Sequence, residues 1–176
     1  MRDLLRKVNI LSTVISAAIA AVVFVIPVYM FVRDGNYTET WLLYMGSFLF
    51  GLVVGIHTYL DSKKRKHQES TVALIFASHA VTILGIAIAC ALSFIILAVG
   101  VPGYLGGGES ATVLENEPAN TINDSTDGLQ FQVFLVATIV NFSVGSFIGI
   151  ILPFSAKRNQ KKDAPDPAPL HQRGSH

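Results

Sequence analysis

Four long stretches of the sequence contain no Asp, Glu, Lys or Arg. They comprise residues 8–32, 40–60, 70–108 and 128–156. About 20 apolar residues in an α-helix span the ~30 Å hydrocarbon core of a bilayer, so each stretch is long enough to cross a membrane. Only 14% of the residues are charged, whereas roughly a quarter are charged in a typical soluble domain. The sequence therefore predicts an all-α membrane protein, a bundle of four transmembrane helices.

Local residues set the limits of the predicted spans. Trp41 and Tyr44 suit the headgroup boundary at the start of the second span, and Pro102 with Gly103 ends the third. The predicted transmembrane domain covers residues 1–156, with spans at about 10–32, 41–60, 71–101 and 131–153 and an extracytoplasmic loop at 103–130. Residues 157–176 are predicted to form a disordered, basic and Pro-rich cytoplasmic tail.

The charges between the stretches are sorted by sign. If alternate connections lie on opposite sides of the membrane, then of the 13 Lys and Arg residues only Arg33 lies on the outer side. An excess of basic residues marks the cytoplasmic side of membrane proteins. We therefore predict an antiparallel four-helix bundle with its N- and C-termini cytoplasmic, in a plasma membrane or a bacterial inner membrane. The first stretch is too long for the apolar core of a signal peptide, so a retained helix is favoured over a cleaved signal.

The sequence lacks the residue patterns that most membrane chemistry needs. Cys90 is the single cysteine, so the chain cannot form an internal disulfide, and it has no Cys/His zinc spacing. The four stretches contain no carboxylate or Arg, which argues against ion-coupled transport. We expect no enzyme activity, no cofactor and no metal site. The basic residues form short collars beside the spans rather than a folded basic surface, so nucleic-acid binding is not expected either.

Each stretch carries small residues at a spacing of four, which places them on one helical face. Helices in lipid associate through close packing and hydrogen bonds, because lipid tails are as apolar as leucine. The candidate packing residues are Gly51, Gly55, Gly85, Gly145 and Gly149. We expect these rows to build the bundle. The alternative is that one row, foremost that of Gly51 and Gly55, pairs with a second copy of the chain.

Three polar residues within the predicted spans are functional candidates, since polar groups are costly inside a membrane. They are His57, His79 and Asn141. The simplest interpretation places His57 at the headgroups and assigns His79 and Asn141 to hydrogen bonds between helices. Two alternatives remain open. His57 and His79 together have the composition of a bis-histidine haem site, and Asn141 with His79 is a candidate lining for a polar pathway.

A basic cluster follows the second span: Lys63, Lys64, Arg65 and Lys66. Each basic residue near an anionic bilayer surface contributes roughly 1 kcal/mol, so the cluster is a candidate contact for anionic lipid as well as an orientation signal. Taken together, these patterns predict a small multi-pass protein with a non-enzymatic interaction or accessory role. Its expected partners are the lipid bilayer and other membrane proteins or a second copy of itself. The alternative is an oligomeric pore or carrier subunit with Asn141 and His79 facing the pathway.

Overall fold

The structure is a computed structural model that describes residues 10–64, 71–105, 114–116 and 128–162, with side chains described as far as Ser155. Four helices in these ranges are long and apolar enough to cross a membrane, which confirms that part of the prediction. The first three are α1 (Ile10–Asp34), α2 (Trp41–Lys64) and α3 (Thr71–Gly100). The fourth consists of α4 (Leu129–Leu135), a π-helical segment (Val136–Val140) and α5 (Asn141–Lys162), which follow one another without a break. The described residues contain no β-strand.

Two helices continue beyond the predicted limits of their spans. α2 extends to Lys64 rather than Leu60, and α5 extends to Lys162 rather than Pro153. Lys and Arg are good helix formers, and their charges are favourable at the C-terminal end of a helix, where the macrodipole is negative. The backbone of 157–162 is therefore helical, whereas residues 163–176 of the predicted tail lie outside the described residues.

A compact turn joins α1 to α2. Gly35 has a φ of 65°, which favours glycine, and its N–H donates to the carbonyl of Phe31 where α1 ends. The side chain of Asn36 then accepts a hydrogen bond from the N–H of Thr38 at 3.0 Å and caps a 3₁₀-helix at Tyr37–Thr40. α2 begins at the next residue, so the turn holds these ends of α1 and α2 close together.

Part of the predicted outer loop is anchored on this turn. The N–H of Tyr37 donates to the carbonyl of Glu115 at 2.9 Å, and the N–H of Glu115 donates to the carbonyl of Gly35 at 2.8 Å. The preceding residue, Leu114, is 1% exposed and belongs to the apolar core. The described loop segment, 114–116, is therefore fixed over this end of the helices.

The helices pack in a ring in which neighbours along the chain are not always neighbours in space. α1 packs extensively against both α2 and α3, and α5 packs against the same two helices. α2 and α3 contact each other less. The order around the ring is therefore α1, α2, α5 and α3, with α1 and α5 on opposite sides of the α2–α3 pair.

The core changes in character along the helices. Near the α1–α2 turn it is built from large side chains that are fully buried: Phe24, Phe31, Leu43, Leu97 and Val133. Towards the opposite end, many buried residues are small or carry hydroxyl groups, as at Ala17, Thr58 and Ser78. Phe50 lies between these regions, 0% exposed, with its ring against Gly85. Buried hydroxyl groups are thus more frequent away from the turn, although Ser47 and Ser93 lie in the half nearer to it.

Glycines mark the closest approach of α5 to α3. A Cβ atom built on Gly145 would overlap the side chain of Thr82, with Thr82 Cβ only 3.0 Å away. A Cβ atom on Gly149 would lie 2.7 Å from Ser78 Oγ. Both contacts are tighter than most real Cβ contacts, so an added side chain at either position would force Thr82 or Ser78 to shift.

The row of Gly51 and Gly55 faces α5 of the same chain. A Cβ atom on Gly51 would overlap the side chain of Val144, whereas one on Gly55 would lie at an ordinary distance of 3.6 Å from Ile148. Gly51 therefore contacts α5 within the chain, and it also lines the apolar groove between the two helices. Gly55 is less crowded than Gly51.

We predict that Gly51→Ala and Gly145→Ala each destabilise the protein by about 1–3 kcal/mol, because the added methyl group overpacks a filled contact. Gly55→Ala is the matched control, since it adds the same atom to the same row where there is room. Thermal unfolding of the purified protein in detergent, followed by circular dichroism, measures the difference. Equal melting temperatures for all three variants would contradict the close contacts at Gly51 and Gly145.

Candidate functional site

A row of buried polar side chains lies between the helices on α2, α3 and α5. Each is at most 3% exposed. We call them the polar row: Ser47, Thr58 and Ser62 of α2, Ser78, Thr82 and Ser93 of α3, and Asn141 of α5. Several are four residues apart, which is about one helical turn. The groups therefore follow the helix axes instead of clustering at one depth.

A hydrogen bond between Thr58 Oγ1 and Ser78 Oγ, 2.8 Å long, connects α2 to α3. Thr58 Oγ1 also donates to the carbonyl of Val54 at 2.8 Å. Because a hydroxyl group carries a single hydrogen, Ser78 is then the donor to Thr58. On α3, Thr82 Oγ1 donates to the carbonyl of Ser78 at 3.1 Å. This part of the polar row is therefore satisfied within the protein.

Asn141 follows the π-helical segment, and its side chain compensates for the altered backbone bonding there. In a regular α-helix the carbonyl of Ala137 would accept the N–H of Asn141. Here that N–H donates to the carbonyls of Val136 and Thr138. Asn141 Nδ2 donates to the Ala137 carbonyl instead, at 3.2 Å. The side chain thus satisfies a carbonyl that the π turn deprives of its usual donor.

The other polar atom of this side chain, Asn141 Oδ1, is buried and has no hydrogen-bond partner among the described residues. Ser47 Oγ is also buried and unpartnered in this part of the chain. Ser47 precedes Gly51 on α2 by about one turn, and Asn141 precedes Val144 on α5 by about one turn. Because Gly51 lies against Val144, Ser47 and Asn141 lie at similar depth. A buried polar group without a partner costs about 1–3 kcal/mol. A bound water or another hydrogen-bond donor at Asn141 Oδ1 or Ser47 Oγ would therefore stabilise the protein.

The two histidines lie on opposite sides of the α2–α3 pair. His57 Nδ1 and Ser16 Oγ are 2.8 Å apart, which joins α2 to α1. His79 Nδ1 donates to the carbonyl of Ile75 at 2.9 Å, and its ring lies beside Gly149 of α5. Since α1 and α5 are on opposite sides, the two rings do not face a common cavity. This arrangement does not fit the ligation of one haem iron by both histidines.

A cleft of about 290 Å³ lies between α1 and α2 beside His57. Its polar lining residues are Ser12, Ser16, His57, Asp61 and Lys64, and its apolar ones are Ile19, Val53, Ile56 and Leu60. Sequence reasoning missed Ser12, Ser16 and Asp61 as a group. The spacing of four residues places Ser12 and Ser16 on one face of α1, and His57 and Asp61 on one face of α2. Grouping these two faces also requires α1 and α2 to be neighbours, which the spacing alone does not show.

The basic cluster is described only in part. Lys63 and Lys64 are exposed at the end of α2, and Lys64 lines the cleft. Arg65 and Lys66 lie outside the described residues. Within the described ranges, no group of three His, Cys, Asp or Glu side chains is placed to hold a metal ion.

No protein-family model, curated protein or solved structure matches this chain. Its function is therefore inferred from its own contacts. Two environments matter: the polar row, which is closed and in which Ser47, Ser62, Ser93 and Asn141 each keep a buried polar atom without a partner among the described residues, and the cleft beside His57, which combines opposite charges with an apolar wall.

We predict that the Thr58–Ser78 hydrogen bond is energetically coupled. In a double-mutant cycle with Thr58→Val and Ser78→Ala, the coupling energy should be about 0.6 kcal/mol and at most about 1.7 kcal/mol, the range measured for hydrogen bonds between membrane helices. Unfolding in mixed detergent gives the free energies. Ser143 supplies the control, because its hydroxyl donates to the carbonyl of Ile139 on its own helix. A cycle of Thr58→Val with Ser143→Ala should show no coupling, and a value as large as that with Ser78 would contradict the contact.

Proposed function

We propose that this chain is a multi-pass integral membrane protein that acts by binding lipids and other membrane proteins, without catalysing a reaction. The observation that carries the proposal is the filled centre of the helices. Phe50 is fully buried there, with its ring against Gly85 of α3. The bulky side chains of Phe48, Phe147 and Ile139 are instead more than 60% exposed on the outside. The large accessible surface of the spans is therefore apolar and suited to contact with lipid or a neighbouring helix.

An antiparallel arrangement of the helices is part of the proposal. Ser16 contacts His57, and the later residue Phe24 lies against the earlier residue Gly46. From the first contact to the second, the residue number rises on α1 and falls on α2, which supports opposite directions for the two helices. The same reversal relates α3 to α5, at the pairs Thr82–Gly145 and Ser78–Gly149.

We place both termini in the cytoplasm, and the membrane is a plasma membrane or a bacterial inner membrane. Support comes from the sorting of the basic residues, of which only Arg33 falls on the other side. α2 ends at Lys64 and α5 at Lys162, so two helices carry basic residues at the same proposed face. This face is suited to anionic headgroups, which attract basic residues near the surface.

An apolar groove supports a binding role. It lies between α2 and α5, has a volume of about 560 Å³, and is lined by residues that include Gly55, Phe147 and Ile148. A groove of this kind accepts an acyl chain or side chains of a neighbouring helix. Other membrane proteins, or a second copy of this chain, are therefore proposed partners alongside the bilayer itself.

A second candidate is an oligomeric pore or carrier subunit with Asn141 and His79 facing the pathway. The observation that favours it is the buried, unpartnered Oδ1 atom of Asn141. Asn141 is 0% exposed, however, and the fully buried ring of Phe50 fills the neighbouring interior. Passage through one copy would require both side chains to move.

The topology is testable with two single cysteines in a Cys90→Ala background. Suitable positions are Thr38, exposed in the turn before α2, and Lys63, exposed at the other end of α2. In intact cells, an impermeant maleimide should label Thr38→Cys and should label Lys63→Cys only after permeabilisation. Labelling of both positions before permeabilisation would overturn the proposed topology.

Permeation separates the two candidate functions. Proteoliposomes with the wild-type protein should swell in isotonic glycerol or urea at the rate of empty liposomes, because Phe50 fills the centre. Asn141→Leu tests the pathway, and Phe142→Leu is the control because Phe142 is 48% exposed on the outer surface. Fast swelling that Asn141→Leu abolishes and Phe142→Leu preserves would establish the pore instead.

A further inference from the structure

The cleft between α1 and α2 combines a cation, an anion and hydroxyl groups in a small space. We infer that it binds the headgroup of a membrane phospholipid that carries both a phosphate and a primary ammonium group, the chemistry of phosphatidylethanolamine. This inference rests on the proposed membrane embedding and adds to it a ligand class and a site.

The cleft lies where a headgroup would lie. His57, bonded to Ser16, is near its deep end, and Lys64 is the last residue of α2. The rise of 1.5 Å per residue puts about 10 Å of helix between His57 and Lys64. That distance reaches from the edge of the hydrocarbon through the polar layer of one leaflet, which is about 5–8 Å thick.

The charges in the cleft select a zwitterion. Asp61 and Lys64 are three residues apart, so they share one face of α2 and both line the cleft. Asp61 would repel a headgroup that is only anionic, and Lys64 would repel one that is only cationic. A headgroup with both charges instead places its phosphate near Lys64 and its ammonium near Asp61.

Hydrogen bonding distinguishes a primary ammonium from a quaternary one. The ammonium of Lys64 is a suitable donor to phosphate oxygens, and the hydroxyl of Ser16 can donate as well when His57 Nδ1–H donates to Ser16 Oγ in their 2.8 Å contact. The carboxylate of Asp61 is an acceptor only, and a primary ammonium can donate N–H hydrogen bonds to it. A trimethylated ammonium has no N–H group, so a choline headgroup loses this charge-assisted bond.

The size and the walls of the cleft also suit a lipid. Its volume of about 290 Å³ is near the lower end of small-molecule sites, ~300–1,000 Å³, which fits a headgroup without its chains. The apolar lining residues Ile19, Ile56 and Leu60 are 49%, 53% and 48% exposed. Acyl chains can therefore continue from the cleft along the outer surface of α1 and α2.

The test is lipid retention by the full-length protein. The protein is placed in nanodiscs with equal amounts of phosphatidylethanolamine, phosphatidylcholine and phosphatidylglycerol of identical chains, and retained lipid is counted by native mass spectrometry. The wild type should retain phosphatidylethanolamine about tenfold better than phosphatidylcholine, the ratio expected from one charge-assisted hydrogen bond. In a second mixture, N,N-dimethylphosphatidylethanolamine should be retained better than phosphatidylcholine, because its ammonium keeps one N–H group and that of phosphatidylcholine has none.

Matched variants locate the site. Asp61→Asn should abolish the preference over phosphatidylcholine, whereas Glu115→Gln, at an exposed carboxylate beside the α1–α2 turn, should preserve it. Lys64→Gln should lower retention of phosphatidylethanolamine, whereas Lys63→Gln, one residue outside the cleft, should not. Soluble phosphoethanolamine at millimolar concentration should leave the bound lipid in place, and its displacement of the lipid would identify a soluble ligand instead.

The outcomes separate this site from the proposed function. Equal retention of all three lipids by the wild type, or equal losses in Lys63→Gln and Lys64→Gln, would overturn the headgroup site and leave the membrane proposal intact. Failure of the cysteine labelling pattern together with no retained lipid would overturn the membrane proposal itself. The lipid comparison on the wild type needs no variant, so equal retention of the three lipids overturns the headgroup site even if Asp61→Asn fails to fold.

Discussion

Close approach between helix backbones is the constraint on which the rest of this structure depends. Within a bilayer the hydrophobic effect does not draw one apolar helix to another, so contacts rely on van der Waals packing and a few hydrogen bonds. Ala17, Ala20 and Ala21 are fully buried on α1, and Gly145 lies directly against Thr82. Dispersion forces weaken steeply with separation, so one added methyl group that pushes the backbones apart weakens the packing of the whole helix pair. The polar row, the filled centre and the cleft all follow from which helices come this close.

The sequence predicts the number of helices well, because charge is excluded from hydrocarbon whatever the packing. It also identifies the helix face that carries small residues, since a spacing of four lies close to the helical period. It does not identify the partner of each face. Gly51 was a candidate for packing within the bundle or for contact with a second copy, and only the structure shows that Val144 of the same chain lies against it. The same limit applies to His57 and His79, which were candidates for one shared site but lie on opposite sides of the α2–α3 pair.

The two polar environments illustrate different ways of placing polar groups among apolar helices. Ser78 and Thr58 satisfy each other inside the protein, which removes the cost of burial but leaves few free groups for a ligand. The cleft has its polar residues at an edge, where exposed apolar side chains meet the charged end of α2. Its members were difficult to predict because Ser12 and Asp61 are far apart in the chain and are joined only by the α1–α2 contact. A lipid that fills this cleft would link the two helices without adding a protein contact.

The π-helical segment at Val136–Val140 makes the fourth helix one residue longer than its path requires. Each residue turns an α-helix by about 100°, so the extra residue sets the angular phase between α4 and α5. Leu129 and Val133 on one side, and Asn141 and Gly145 on the other, are all buried in this phase. A regular α-helix of the same length would instead turn one group away from the interior by about 100°, while every side chain in it stayed the same. The π turn therefore absorbs the extra residue, and deletion of one residue within Val136–Val140 would restore a regular α-helix with both groups still facing the interior.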